Sequence, residues 1–135
     1  MARVDHWERL LTAVIDTARA KPFVWGVHDC PTFAFETRMI LTVGEDVAAL
    51  WRGRYTTALG GERVMRRLGW ASLDEMGRSL LGEPRPSVLL AKRGDIVLAD
   101  TGLGFGICNG ASAVGMTPEG LVTVPLTSCR LAWPT

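Results

Sequence analysis

Cysteine is scarce in this chain and oddly placed. Three residues, Cys30, Cys108 and Cys129, form an odd and widely spaced set, which excludes a disulfide framework and fits a reducing compartment. No Cys-x-x-Cys pair is present, so His28, Cys30, Cys108 and Cys129 match no common zinc spacing, and neither a metal nor another cofactor is expected. No stretch of 18 apolar residues exists to span a membrane. Met1-Ala2-Arg3-Val4-Asp5-His6 places polar groups before any apolar run, so no secretory leader is expected. Charge of one sign is missing too: the net charge is +1, which argues against general polyanion binding and gives no reason to expect nucleic acid as a partner. Gly102, Gly104 and Gly106 lead into strand-like sequence instead of a helix, so they do not make a dinucleotide loop. No internal repeat or low-complexity segment interrupts the chain.

What is present is enough apolar sequence, 47% over 135 residues, for one compact domain that folds without staples. Val4, Trp7, Leu10, Leu11, Val14, Ile15 and Ala18 recur at steps of three and four, predicting an amphipathic helix over residues 4–19, stopped by Lys21-Pro22. His6, near its first turn, is assigned no role. A helix over 31–43 is apolar on more than one side and is therefore expected to be central, with Gly44 ending it. Residues 45–51 read as a short third helix, 56–68 as a fourth with Val64, Met65 and Leu68 inward, and 72–81 as a fifth, capped by Ser72 and ended by Gly82. After the proline-rich 83–86 the period shortens. Strands are expected at 94–99, 103–108, 111–116 and 121–125, with turns at 100–102, 109–110 and 117–120; residues 126–133 close the sheet or lie across it. The pattern predicts an α+β domain over 1–135, a helical half (1–82) packed on an antiparallel sheet (93–133).

The chemistry gathers at residues 22–38. Cys30 precedes Pro31, a favoured first-turn residue, so the thiol marks a helix start, where unsatisfied N–H groups and the helix dipole lower a thiol's pKa. Two readings stand side by side, a nucleophile or a small buried hydrophobe among Trp25, Phe33 and Phe35. His28 is a weak candidate base, or a loop hydrogen-bonding group; Asp29 is an orienter of that base, or a helix cap. Arg52, Arg54, Arg63, Arg66 and Arg67, interleaved with Trp51 and Tyr55, are either a solvated helix face or a docking surface for a partner.

Phe23-Val24-Trp25-Gly26 followed by Asp29-Cys30 resembles the lead-in of NlpC-type cell-wall peptidases, and Arg93-Gly94-Asp95-Ile96-Val97 resembles their first strand. The likeness runs over residues 22–110. The whole chain, with Trp51-Arg52-Gly53-Arg54-Tyr55 and its 129–133 ending, resembles small phage and prophage proteins related to that superfamily. The resemblance implies an NlpC-like, papain-like core and a setting in the tail tip of a phage particle, assembled in the host cytoplasm beside other tail-tip and hub proteins. In the enzymes a histidine early in the second strand serves as base. Here the corresponding position is Gly104, or a neighbour within 101–105, and none can take a proton from a thiol. Phe23 stands where the enzymes carry tyrosine. Thiol attack on an amide needs a thiolate and then an acid for the leaving amine, both supplied by one imidazole. The expectation is therefore a catalytically degenerate fold serving as a tail-tip structural or assembly component. The alternative is an active cysteine peptidase or amidase cleaving cell-wall peptides, with Cys30 as nucleophile and His28 or a partner's residue as base. A third reading is a binding module whose vacated cleft holds a peptide.

Overall fold

The computed structural model describes residues 3–100 and 104–135. Helices come first: α1 (Trp7–Ala20), α2 (Cys30–Thr42), α3 (Ala58–Arg67) and α4 (Leu73–Leu81). Strands follow: β1 (Ile96–Ala99), β2 (Phe105–Cys108), β3 (Ser112–Thr117), β4 (Gly120–Pro125) and β5 (Cys129–Trp133). They form one sheet of order β4-β3-β2-β1-β5, every neighbouring pair antiparallel. The α+β class and the division into helical and sheet halves are as the sequence pattern requires.

Each helix begins where a side chain can satisfy the free N–H groups of its first turn. Asp29 caps α2, Thr57 caps α3 and Ser72 caps α4. α1 is the exception: His6 occupies the cap position at φ 61° without a side-chain hydrogen bond, and the helix starts at Trp7, later than expected. α2 ends through Val43, which takes a left-handed φ of 49°, while Gly44 N–H closes back on the Met39 carbonyl. The third expected helix is only a turn of 3-10 helix, Val47–Leu50, and a second such turn, Val88–Leu90, was not foreseen. The expected turn at 100–102 falls on Asp100, which is described, and on Thr101 and Gly102, which with Leu103 lie outside the described residues.

α2 is the hub. Phe33, Ala34, Phe35, Thr37 and Leu41 are buried along it, and α1 packs Leu11, Ile15 and Ala18 into the same core. Burying each large aliphatic or aromatic side chain contributes about 1.5–3 kcal/mol. A line of edge-on and tilted rings crosses from helices to sheet: Trp70, Trp51, Phe35, Phe105 and Trp133, with successive centroids 5.5–6.3 Å apart. Alternation in the sheet sends Ile96, Leu98, Phe105, Ile107, Val114 and Met116 to this core. Val97, Ala99, Cys108, Ala113 and Ala132 go to a thinner cluster on the opposite face.

α4 sits close to the sheet because Gly77 has no side chain. A Cβ there would lie 2.5 Å from the Trp133 ring. The same indole donates Nε1–H to the Gly82 carbonyl at 2.9 Å, so the last strand fixes the end of α4.

Candidate functional site

The loop before α2 is tied down from several directions. Val24 and His28 bridge each other through backbone hydrogen bonds, and Gly26, at φ 76°, lets the Tyr55 carbonyl come where a Cβ would meet it at 2.6 Å. Asp29 is the knot: Oδ1 accepts from Thr32 N–H at 3.2 Å and Oδ2 from Gly26 N–H at 2.9 Å. The Tyr55 hydroxyl also donates to Oδ2. Asp29 therefore caps the helix and braces the loop, and it does not orient a base.

Cys30 follows in the first turn, half-buried. Its thiol opens on a cleft of about 370 Å³ between the start of α4 and the β1 end of the sheet, lined also by Leu73, Asp74, Leu98, Gly104 and Arg130. Burial pushes this thiol up to about 12; the Phe105 backbone N–H opposes that rise and the Asp29 carboxylate adds to it. The expectation of an acidified thiol is thus corrected. A helix terminus contributes at most about 2 kcal/mol, or roughly 1.5 pKa units, whereas desolvation moves a group by up to about 3–5 units as burial approaches completion. For this half-buried residue desolvation is the larger effect, and it favours the protonated thiol.

Facing it from the sheet side is Gly104, at φ 69°, where an added Cβ would stand 2.7 Å from Cys30 Sγ. The position where the resemblance implies a base thus lies against the sulfur, and it carries no side chain. Thr101, Gly102 and Leu103 of the same expected stretch lie outside the described residues.

His28 is not brought to the thiol, which corrects its candidacy as a base. It is buried; Nδ1 lies 3.1 Å from the Pro22 carbonyl oxygen, and the ring packs edge-on to Phe33. It lines a groove between α1 and α2, with Leu10, Val14 and Ile40, separate from the Cys30 cleft. The five arginines do not act together either. Arg52 is taken up by Glu36 and Asp46, at 2.7 Å from each, while Arg54, Arg63, Arg66 and Arg67 are exposed, the last three along α3. Cys108 and Cys129 are buried free thiols in the cluster on the far face of the sheet; burial raises both, Cys129 to about 11. Among the described residues no group of three or more His, Cys, Asp or Glu side chains is placed to hold a metal. No helix there is long and apolar enough to cross a membrane.

Three features of the site were not read from sequence. Tyr55, the chain's single tyrosine, supplies a hydroxyl beside the helix start, held protonated by burial and by the Asp29 carboxylate it bonds. A register shift between β1 and β5 sets Ala99 opposite Cys129 and Leu98 opposite Leu131. Arg130 is the extra residue, and this bulge turns its side chain to an ion pair with Asp74 at the cleft mouth. Finally, Asp95 is fully buried and pins the start of the sheet: Arg3 and Arg85 pair with it at 3.2 and 2.7 Å. The Lys92 and Thr135 N–H groups donate to it at 2.9 and 3.1 Å.

The layout defines an α+β protein in which a helical layer and an antiparallel sheet meet at a cleft with a half-buried thiol at the head of the central helix. The chain belongs to the family described as "Domain of unknown function (DUF6950)", whose model matches residues 2–135. No curated protein and no solved structure matches it.

Proposed function

We propose that this protein is a structural or assembly component of a phage tail tip, built on an NlpC-like, papain-like core that has lost its catalytic set. The observation that carries the non-catalytic part is the contact between Cys30 Sγ and Gly104. Hydrolysis of an amide by a thiol needs a proton acceptor there that returns the proton to the departing amine. A glycine can do neither, and the thiol beside it is held protonated. Asp29 and Tyr55 keep each other occupied in the helix cap, and His28 is committed to Pro22. The phage setting rests on the sequence resemblance, which spans the chain, and places the protein in the virion after assembly in the host cytoplasm.

The test has two arms. Purified protein is incubated with peptidoglycan-derived peptides: no release beyond that of Cys30→Ala is expected, and Cys30-dependent turnover would overturn the non-catalytic reading. Mass spectrometry of purified particles from a host carrying the gene is expected to find the chain, and Cys30→Ala particles are expected to infect at wild-type titre. Particles that lack the chain would sink the tail-tip assignment.

A further inference from the structure

The two edges of the sheet are treated differently. On the β5 side the chain covers its own edge: the connector after α4 lays the Arg85 N–H on the Ala132 carbonyl at 2.7 Å, and the bulge at Ala99 breaks the regular ladder. These are two of the usual protections of an edge strand. The β4 side has neither. β4 pairs with β3 through six unbroken positions, Ser112 with Pro125 through Thr117 with Gly120. Between Ser112 and Cys129 the only charged residue is Glu119, in the turn.

Which backbone groups this edge offers follows from the ladder. Leu126 N–H donates to the Ala111 carbonyl at 2.9 Å, and hydrogen-bonded pairs recur every second residue in an antiparallel ladder. The bonded pairs are then 113 with 124, 115 with 122 and 117 with 120, the last closing a two-residue turn. Leu121 and Thr123 therefore aim both N–H and C=O away from β3. Among the described residues no hydrogen bond reaches those four groups.

We propose that β4 is a homotypic interface, pairing antiparallel with β4 of a second copy about a two-fold axis at Val122. In that register Leu121 faces Thr123 of the copy and Thr123 faces its Leu121. All four outward groups on each strand are matched, and four backbone hydrogen bonds form. The side chains agree. Val122 meets its own equivalent, and Val122 and Val124, half-buried at the margin of the far-face cluster, join their counterparts in one apolar stripe. Glu119 faces Pro125 of the copy, so no like charges oppose each other. A second copy fits better than a charged peptide because the edge offers no charge to complement. The product is a continuous ten-stranded sheet, and the inference does not depend on the reading of the Cys30 cleft.

The test uses the full chain. Sedimentation equilibrium is expected to show a monomer–dimer equilibrium, and Thr123→Pro, which removes one outward N–H per copy without touching the bonds to β3, is expected to weaken it by at least about tenfold. Non-hydrogen-bonded pairs hold Cα atoms about 4.5 Å apart, within disulfide reach. Val122→Cys is therefore expected to give a 122–122 cross-link under mild oxidation, mapped by peptide mass spectrometry, with several-fold less from Thr123→Cys. A chain that stays monomeric at all concentrations overturns the proposal. So does a dimer indifferent to Thr123→Pro, or one that does not cross-link at 122; should Thr123→Pro fail to fold by circular dichroism, the cross-linking pair decides alone.

Discussion

Replacing Gly104 by alanine, both in the wild-type chain and in Cys30→Ala, probes the contact on which the functional reading rests. The backbone there sits at φ 69°, so any side chain costs about 1–2 kcal/mol from the left-handed conformation alone. In the wild type the new methyl also stands 2.7 Å from Cys30 Sγ, well inside contact distance, and overpacking of this kind costs about 1–3 kcal/mol more. With the sulfur removed, the nearest remaining side-chain atom outside residue 30 is Leu73 Cδ1 at 3.5 Å, an ordinary contact. The conformational cost then remains and the overlap does not. Denaturant unfolding of the four proteins, followed by circular dichroism, should therefore give a double-mutant coupling of about 1–3 kcal/mol, with Gly104→Ala milder in the Cys30→Ala background. Additivity within about 0.5 kcal/mol would mean that Gly104 does not face the sulfur, and the geometric case against catalysis would be lost.

A thiol at about 12 is ionised to roughly one part in 30,000 at pH 7.5, against about one in ten for a free thiol. A more basic thiolate is intrinsically more nucleophilic, which offsets part of that deficit. Iodoacetamide should therefore modify Cys30 on the order of a hundredfold more slowly than a small free thiol, and a rate within about tenfold of that reference would refute the account of a desolvated thiol. Burial raises Cys30, Cys108, Cys129 and Tyr55 alike. Unfolding lets each lose its proton earlier, so the stability they confer is complete below about pH 8.5 and declines as pH climbs toward 11–12, by at most about 1.4 kcal/mol per pH unit for each group. Melting temperatures measured from pH 7 to 10.5 should fall, and a flat or rising profile contradicts the assignment. Asp95→Ala strands Arg3, Arg85 and two backbone N–H groups and should cost about 3–5 kcal/mol. A loss under about 1 kcal/mol in denaturant unfolding would show that the cluster is not a pin.

Local signals were legible in the sequence wherever one residue decides the outcome. Ser72 and Gly82 bound α4 on both sides because a hydroxyl cap and a glycine free to take a positive φ act within a single turn. The α1 stripe and the α2 hub followed from periodicity, since burial of one face outweighs weaker preferences. Residues 45–51 misled because acids near a helix start favour a dipole but cannot nucleate a helix of seven residues, and the chain settles for 3-10 geometry. At the site, Gly104 is singled out only by a resemblance, and Asp29 reads in the sequence as either cap or orienter, a choice that its three donors in the fold decide. The thiol's acidity is not legible in sequence because the dipole is a local property of the helix, whereas desolvation depends on how remote parts of the chain pack around the sulfur. Arg130 could not have been placed, since its direction depends on a one-residue bulge that no spacing announces.

The fit of the Trp133 indole against Gly77 has a consequence for how the chain comes together. α4 is complete some fifty residues before the strand that receives it, so during synthesis its glycine notch waits uncovered. A ribosome stalled before residue 129 would therefore hold α4 without the indole that fills its notch and anchors the Gly82 carbonyl at its end.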